Sequence, residues 1–253
     1  MNKVIRGCIA CALMLMPTGV WAMHPLEVED TGTEGRGNVL IEITGDYVKD
    51  NDLKSTKMTG VISVGVGEHT DLALEVPYVK LDPSPVTDAF ASGKGDIRFK
   101  FKHQLFENEV KQSMAFQIYG DLPTGDIHKG LGTNKVVWGA MLIDTQECHD
   151  NAFHVNLGYE VSGRDVKKKR FADNYAYLFG FAAEHKLTSS FRVLTELAGE
   201  RRQEVETVTA PFTFLTGVVY DISPSWYVDL GVRAGLNKYA EDHAVLAGTA
   251  WRF

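Results

Sequence analysis

From residue 37 onward, apolar and polar residues alternate with a period of two in one segment after another. Val39, Ile41, Ile43 and Tyr47 share one face, with Asn38, Glu42, Thr44 and Asp46 on the other. Ile97, Phe99, Phe101 and Leu105 oppose Asp96, Arg98, Lys100, Lys102 and Gln104. Phe153, Val155, Leu157, Tyr159 and Val161 oppose His154, Asn156 and Glu160. Val228, Leu230, Val232 and Ala234 oppose Tyr227, Asp229 and Arg233. A period of two is the side-chain repeat of a strand whose faces meet different surroundings. The pattern predicts about twelve strands, near 38–47, 58–66, 71–80, 96–105, 113–122, 135–144, 152–161, 175–184, 190–199, 210–220, 226–235 and 244–253. No long segment carries competing helical spacing. The 175–184 strand is the least regular, because Leu178 interrupts its polar face.

The connections alternate in length. Residues 48–57, 81–95, 123–134, 162–174, 200–209 and 236–243 read as long and polar, whereas 67–70, 106–112, 145–151, 185–189 and 221–225 read mostly as short. An up-and-down antiparallel barrel in an outer membrane has this asymmetry, with short periplasmic turns and longer outside loops. An even strand number returns the chain to the side on which it started. A soluble barrel of the lipocalin kind turns its apolar face inward and usually has eight strands; twelve strands favour the inverted, transmembrane arrangement. Aromatic residues near strand ends (Tyr47, Tyr78, Tyr159, Tyr220, Trp226, Trp251) suit interfacial girdles. The chain stops inside an alternating strand, and Trp251 and Phe253 resemble the terminal signal read by outer-membrane assembly machinery. An open sheet edge is untenable in lipid, so the first strand is expected to pair with the last. Phe253 is then expected to face lipid.

Composition changes the picture only once it is read through this pattern. The 253 residues are 44% hydrophobic with a net charge of −7, values ordinary for a soluble domain. No apolar run approaches the ~20 residues of a membrane-spanning helix. The acidic balance excludes a basic nucleic-acid surface, and 10% aromatic residues spread along the chain argue against disorder. Lys3 and Arg6 precede an apolar stretch to Met16, which Pro17 and Gly19 break before Val20-Trp21-Ala22. This reads as a secretory signal cleaved after Ala22. Cleavage removes Cys8 and Cys11, leaves Cys148 without an internal partner, and moves the net charge to −9 by removing Lys3 and Arg6. Three regions follow: a signal peptide at 1–22, a polar segment at 23–36 that either stays in the periplasm or tucks into the lumen as a plug, and an outer-membrane β-barrel at 37–253.

The chain also resembles a known family, the meta-pathway phenol-degradation proteins. The landmarks begin at His24-Pro25-Leu26 and Glu29-Asp30-Thr31-Gly32-Thr33, with Gly35-Arg36-Gly37-Asn38. They continue through Leu74-Glu75-Val76-Pro77-Tyr78, Gly93-Lys94-Gly95-Asp96, Phe101-Lys102-His103, Leu122-Pro123-Thr124-Gly125-Asp126 and Gly130-Leu131-Gly132-Thr133. Gly217-Val218-Val219-Tyr220-Asp221-Ile222, Asp229-Leu230-Gly231-Val232 and the Phe253 end complete the series. The resemblance implies a transmembrane barrel with a transport role, for hydrophobic or aromatic compounds. It carries over no functional residues, and it does not account for the basic run Lys167–Arg170 or for Cys148-His149.

Candidate chemistry lies on the polar faces. Arg98, Lys100 and Lys102 share one strand face, where they would line a pore and attract anions, joined by Arg192 and Arg233. Glu42, Glu75, Glu160, Glu196 and Asp229 occupy the inward faces of other strands, and in a narrow lumen mixed charges favour pairing over free cations. A paired lining still sets which ions pass. Cys148, His149 and His154 are metal-friendly but too few for a zinc site, so neither a metal nor another cofactor is expected. The glycine-rich 126–132 segment lacks the pattern of a phosphate loop; it reads as a strand-ending turn that could fold inward and narrow the pore. Lys167–Arg170 sits in a long loop, solvated or bridging anionic lipopolysaccharide. The expected partners are outer-membrane lipids and lipopolysaccharide, the assembly machinery and a small-molecule solute, with no nucleic acid.

These features favour a passive outer-membrane channel or transporter for small molecules. A barrel-embedded lipid-modifying enzyme is the first rival. Its candidates Ser190, His185 and His243 fall on separate connections and make no motif. A non-conducting structural barrel is the second.

Overall fold

The computed structural model describes residues 24–163, 174–204 and 207–253. The signal-like segment 1–22, Met23 and the Lys167–Arg170 run lie outside the described residues. The strands are β1 (Val39–Asp50), β2 (Leu53–Gly67), β3 (Thr70–Asp82), β4 (Ala91–Lys94), β5 (Ile97–Glu107), β6 (Gln112–Leu122) and β7 (Val137–Cys148). They continue as β8 (Asn151–Ser162), β9 (Tyr175–Lys186), β10 (Phe191–Gln203), β11 (Val208–Thr209), β12 (Phe212–Ser223), β13 (Trp226–Gly235) and β14 (His243–Arg252). The two short strands, β4 and β11, ride on the edges of β3 and β10. The other twelve pair antiparallel with their neighbours, and β14 closes on β1 with a register running from Leu40–Arg252 to Lys49–His243. Phe253 extends the seam, its amide donating to the Val39 carbonyl at 2.8 Å while the Val39 amide donates to the Phe253 carbonyl at 3.0 Å. Among the described residues, the twelve long strands thus form a closed wall with no open end between the first and the last.

Each of the twelve expected strands has its counterpart, and one expected connection does not. Residues 48–57 are not a long loop: β1 and β2 are joined by Asn51 and Asp52 alone, with Asn51 in the left-handed region at φ 53°. After Leu53, the first residues of β2, Lys54-Ser55-Thr56-Lys57, are polar on both faces, so no alternation betrays the strand. Pairing with β1 carries it nonetheless, with Asp50 opposite Leu53 and Thr56 opposite Tyr47. The remaining connections at that end, 83–96, 123–136, 163–174, 204–211 and 236–242, are long. Those at the other end, 68–69, 108–111, 149–150, 187–190 and 224–225, are turns of two to four residues. We refer to the two as the loop end and the turn end.

The burial pattern is inside-out. Leu157, Leu230 and Phe99 are exposed on the outer wall, while His154, Glu184 and Glu196 are almost wholly buried inside it. This is the polarity of a transmembrane barrel. The interior is not uniformly polar, however. Leu26 and Val28, which precede β1, join Leu40, Leu194, Leu215, Val219 and Leu246 in an apolar core inside the barrel. A second small core of Leu81, Ala91 and Leu131 caps the loop end. There the Asp96 carboxylate accepts from the amides of Gly125 and Thr133 at 2.9 and 2.7 Å and from the Thr133 hydroxyl. The 126–132 segment, with its short 3₁₀ turn at Ile127–Lys129, therefore packs onto this cap and does not line the central cavity. Leu131 meets Leu81, which shares a face of β3 with the cavity-lining Asp71 and Glu75, so the segment packs on the inner side of the wall at the loop end.

Candidate functional site: a charged lumen and its internal strap

Residues 24–36 lie inside the barrel. They form a strap that travels round the inner wall almost once, and each step is fixed by a wall side chain. At Gly35 and Gly37 (φ 76° and 86°) the chain turns out of the lumen into β1, a conformation open to glycine. Working back from there, the Glu34 amide donates to Asp71 of β3 at 2.9 Å, and the Glu34 carboxylate pairs with Arg252 of β14 at 2.9 Å. The Thr31 amide donates to Thr145 of β7 at 3.2 Å, and the Thr31 and Ser113 hydroxyls lie 2.5 Å apart. Asn156 of β8 grips both main-chain groups of Glu29, accepting from its amide at 2.7 Å and donating to its carbonyl at 2.8 Å. One oxygen of Glu196 on β10 accepts from two successive amides, Glu27 at 2.7 Å and Val28 at 2.8 Å. His24 ends the circuit between Asp229 of β13 and Asp46 of β1, at 2.6 and 3.3 Å.

Inward-facing glycines give the strap its room. A Cβ on Gly217 or Gly231 would meet the Pro25 ring at 2.8 Å. One on Gly180 would strike the Val28 side chain, and one on Gly65 would strike the Gly35 carbonyl. A period-two sequence with glycine on its inward face thus builds a track at strap height.

Charge completes the fit. Glu29 meets Lys100 at 2.8 Å, Asp30 meets Lys102 at 3.3 Å, and Glu27 meets Arg233. Burial opposes ionisation of Glu29, yet the Lys100 and Lys102 charges overcome it and hold its pKa at about 2. Burial likewise pulls the His24 pKa down, but the hydrogen bonds and charges of Asp229 and Asp46 outweigh it and raise the value to about 9. His24 is therefore an imidazolium at neutral pH, bound between two carboxylates.

Beside the strap a cavity of about 650 Å³ remains. Seven of the residues marked out in the sequence line it: Glu42, Glu75, Arg98, Lys100, Lys102, Glu160 and Arg233. Arg192, Glu196 and Asp229 face inward but are buried away from that cavity. Most of these groups are engaged. Lys100 bridges Glu75 (2.5 Å) and Glu29, while Arg98 binds Asp121 on the neighbouring strand through two hydrogen bonds. Glu160 takes Arg202 and the Tyr119 hydroxyl, and Arg192 takes Glu184 and Asp221. Arg233 meets Glu241 as well as Glu27. Glu42 accepts from the Tyr227 hydroxyl at 2.7 Å and faces the cavity. Of the partners taken by the β5 cations, Glu75 is among the inward carboxylates read from sequence, whereas Glu29 and Asp30 belong to the strap and could not be named from strand spacing. Among the described residues lining the cavity, carboxylates outnumber Lys and Arg by eleven to seven.

Other candidates fall apart in space. Ser190 and His185 stand at the turn end and His243 at the loop end, so they assemble no nucleophilic site. Cys148 is exposed with its Sγ 3.3 Å from His149 Nδ1. His154 is buried on Thr145 and Glu184 instead. Trp251 stacks on Trp226 at 6.1 Å on the outer seam, and the Phe253 side chain is exposed there. Sequence reasoning missed Asn156 as a peptide clamp and the glycine track. The signal available was the polar, motif-bearing stretch before β1.

The model of a protein family described as "Putative MetA-pathway of phenol degradation" matches residues 37–253. Among solved structures, an outer membrane channel from Pseudomonas putida superposes with a TM-score of 0.73 at 12% identity, covering 90% of this chain and 100% of that one. The NanC porin gives 0.58 at 8% identity over 83% and 98% of the two chains. The KdgM porin gives 0.56 at 13% over 85% and 99%. At these identities the likeness is one of fold, that of outer-membrane β-barrels. No curated protein sequence matches the chain.

Proposed function

The chain belongs to the phenol-degradation MetA-pathway family, and from that premise we propose that it is an outer-membrane channel for small solutes. The observation that carries the proposal is the closed, inside-out barrel enclosing a charged cavity of about 650 Å³. A barrel built only to pack would have no need of that volume. Its walls carry an excess of carboxylates, which attract cations and repel anions at close range. The channel accordingly favours cations, whereas the Arg98, Lys100 and Lys102 row read in isolation pointed to anions. Phenol-sized aromatic compounds, suggested by the family description, fit the volume and complete the proposed solute range.

We propose an export route and an orientation for the same barrel. Residues 1–22 act as the export signal, and the lodging of His24 between Asp46 and Asp229 supports their removal, since a retained signal would have to leave from the middle of the lumen. The turn end faces the periplasm, and Trp251 and Phe253 serve the assembly machinery. The long connections meet lipopolysaccharide.

The test is reconstitution into planar bilayers under a salt gradient. Discrete conductance steps with a reversal potential of the cation-selective sign are expected. A correctly folded barrel that gives no conductance would overturn the channel reading, and an anion-selective sign would overturn the assigned preference.

A further inference from the structure

We propose that the barrel wall contains a peptide-binding groove, a recognition site for an extended acidic peptide, whose present occupant is the protein's own strap. The wall does not merely enclose residues 24–36; it recognises them as peptide. Three observations separate recognition from simple filling. The first is that wall side chains address main-chain groups. Glu196 takes the amides of Glu27 and Val28, and Asn156 takes the amide and the carbonyl of Glu29. An asparagine bonded to both groups of one residue substitutes for the hydrogen bonding of a neighbouring strand, as in peptide recognition by strand addition.

The second observation is the glycine track. Gly180, Gly217 and Gly231 lie on three different strands, and a Cβ on any of them would collide with Val28 or Pro25. The third is side-chain selectivity. Lys100 and Lys102 receive Glu29 and Asp30, and Arg233 receives Glu27, while Leu26 and Val28 sink into the inner apolar core. Contacts to main chain give affinity for any extended peptide, and the cationic and apolar pockets restrict it to acidic sequences with apolar residues between the acids. In the intact chain the tether gives the strap a high effective concentration, so a free peptide is held out. The groove is open to another peptide only when the strap is away.

The inference is independent of conduction, because its readout is binding. The full chain is prepared with residues 24–34 replaced by a Gly/Ser sequence of equal length, and its folding is checked by the gel shift on boiling. A fluorescent peptide of residues 24–36 is then titrated into detergent-solubilised protein and followed by anisotropy. Saturable binding is expected to the replaced variant and not to the wild type, whose own strap fills the groove. Asn156→Ala in the replaced variant should weaken binding about tenfold, the value of one well-made pair of polar contacts. No binding to a folded variant, or equal binding of a scrambled peptide, would overturn the proposal. Where the replaced variant fails to fold, Gly180→Val in the otherwise native chain serves instead. Amide exchange in residues 24–36 should then accelerate while that of the strands stays the same, and unchanged strap exchange would overturn the proposal.

Discussion

Single residues decide how firmly the strap sits. Asn156, itself buried, satisfies one donor and one acceptor of Glu29. Its replacement by alanine leaves both groups unmatched, at a cost of about 1–3 kcal/mol to strap seating. Hydrogen exchange of residues 27–31 should rise accordingly. His24 adds a pH dependence with a definite sign. Its pKa is about 9 in the folded chain against 6.5 ordinarily, so its stabilising contribution is complete below 6.5 and disappears as pH rises through 9. The groups facing it are Asp229 from β13 and Asp46 from β1, the latter also paired with Lys57 of β2. Glu29 acts at the other extreme: its contribution is complete above 4.5 and is lost as pH falls through about 2. Limited proteolysis of the strap across pH 6–10 should show increasing cleavage, and His24→Gln should abolish that trend. A flat wild-type profile would contradict the assignment of a charged His24.

At the scale of elements, closure is the requirement from which the others follow. Without residues 243–253, β1 and β13 each present an unpaired edge to lipid, where an unsatisfied backbone group costs several kcal/mol. The truncated chain should show no shift on boiling and should aggregate. The cap is different. Removal of residues 126–132 strips Leu131 from its core with Leu81 and Ala91 on the inner side of the loop end, so conductance should rise as the mouth widens; an unchanged conductance would show that the segment does not narrow it.

The strands were legible because lipid and lumen impose opposite polarities on alternate residues, as in β8 from Phe153 to Val161. The start of β2 was illegible for the corresponding reason. Lys54 to Lys57 are polar on both faces, and only pairing with β1 extends the strand there. The strap was legible as a segment and not as a ligand. Its partners, Asp71, Asn156, Glu196 and Asp229, are separated from it by 37 to 205 residues, a span no local pattern reports. The same distance explains why two of the partners of Lys100 and Lys102 could not be read from β5: Glu29 and Asp30 reach them only because the strap crosses the lumen, whereas Glu75 was legible as an inward carboxylate.

For the whole molecule, a slightly negative mean hydropathy describes an inside-out object, with apolar side chains outside and charges folded inward. Selectivity is then a property of the summed lining. Glu42 is the most informative probe of it, since it faces the cavity and its hydrogen bond comes from the neutral Tyr227 hydroxyl. Glu42→Gln removes a charge worth ~1 kcal/mol at 4 Å in water, which is roughly fivefold in relative cation permeability. A reversal potential that moves toward zero would report it, and one that stayed in place would show that Glu42 lies off the conduction path.

The hydrogen bond from His24 to Asp229 joins residues 205 apart in the chain. A link of that span cannot form until nearly all of the polypeptide has been synthesised, delivered and paired, and loop closure makes such contacts slow. The seating of His24 therefore works as a clock on assembly. It marks the moment when β13 has found its place beside β14 and β14 beside β1, and a probe on the strap would time the end of folding with no label on the barrel.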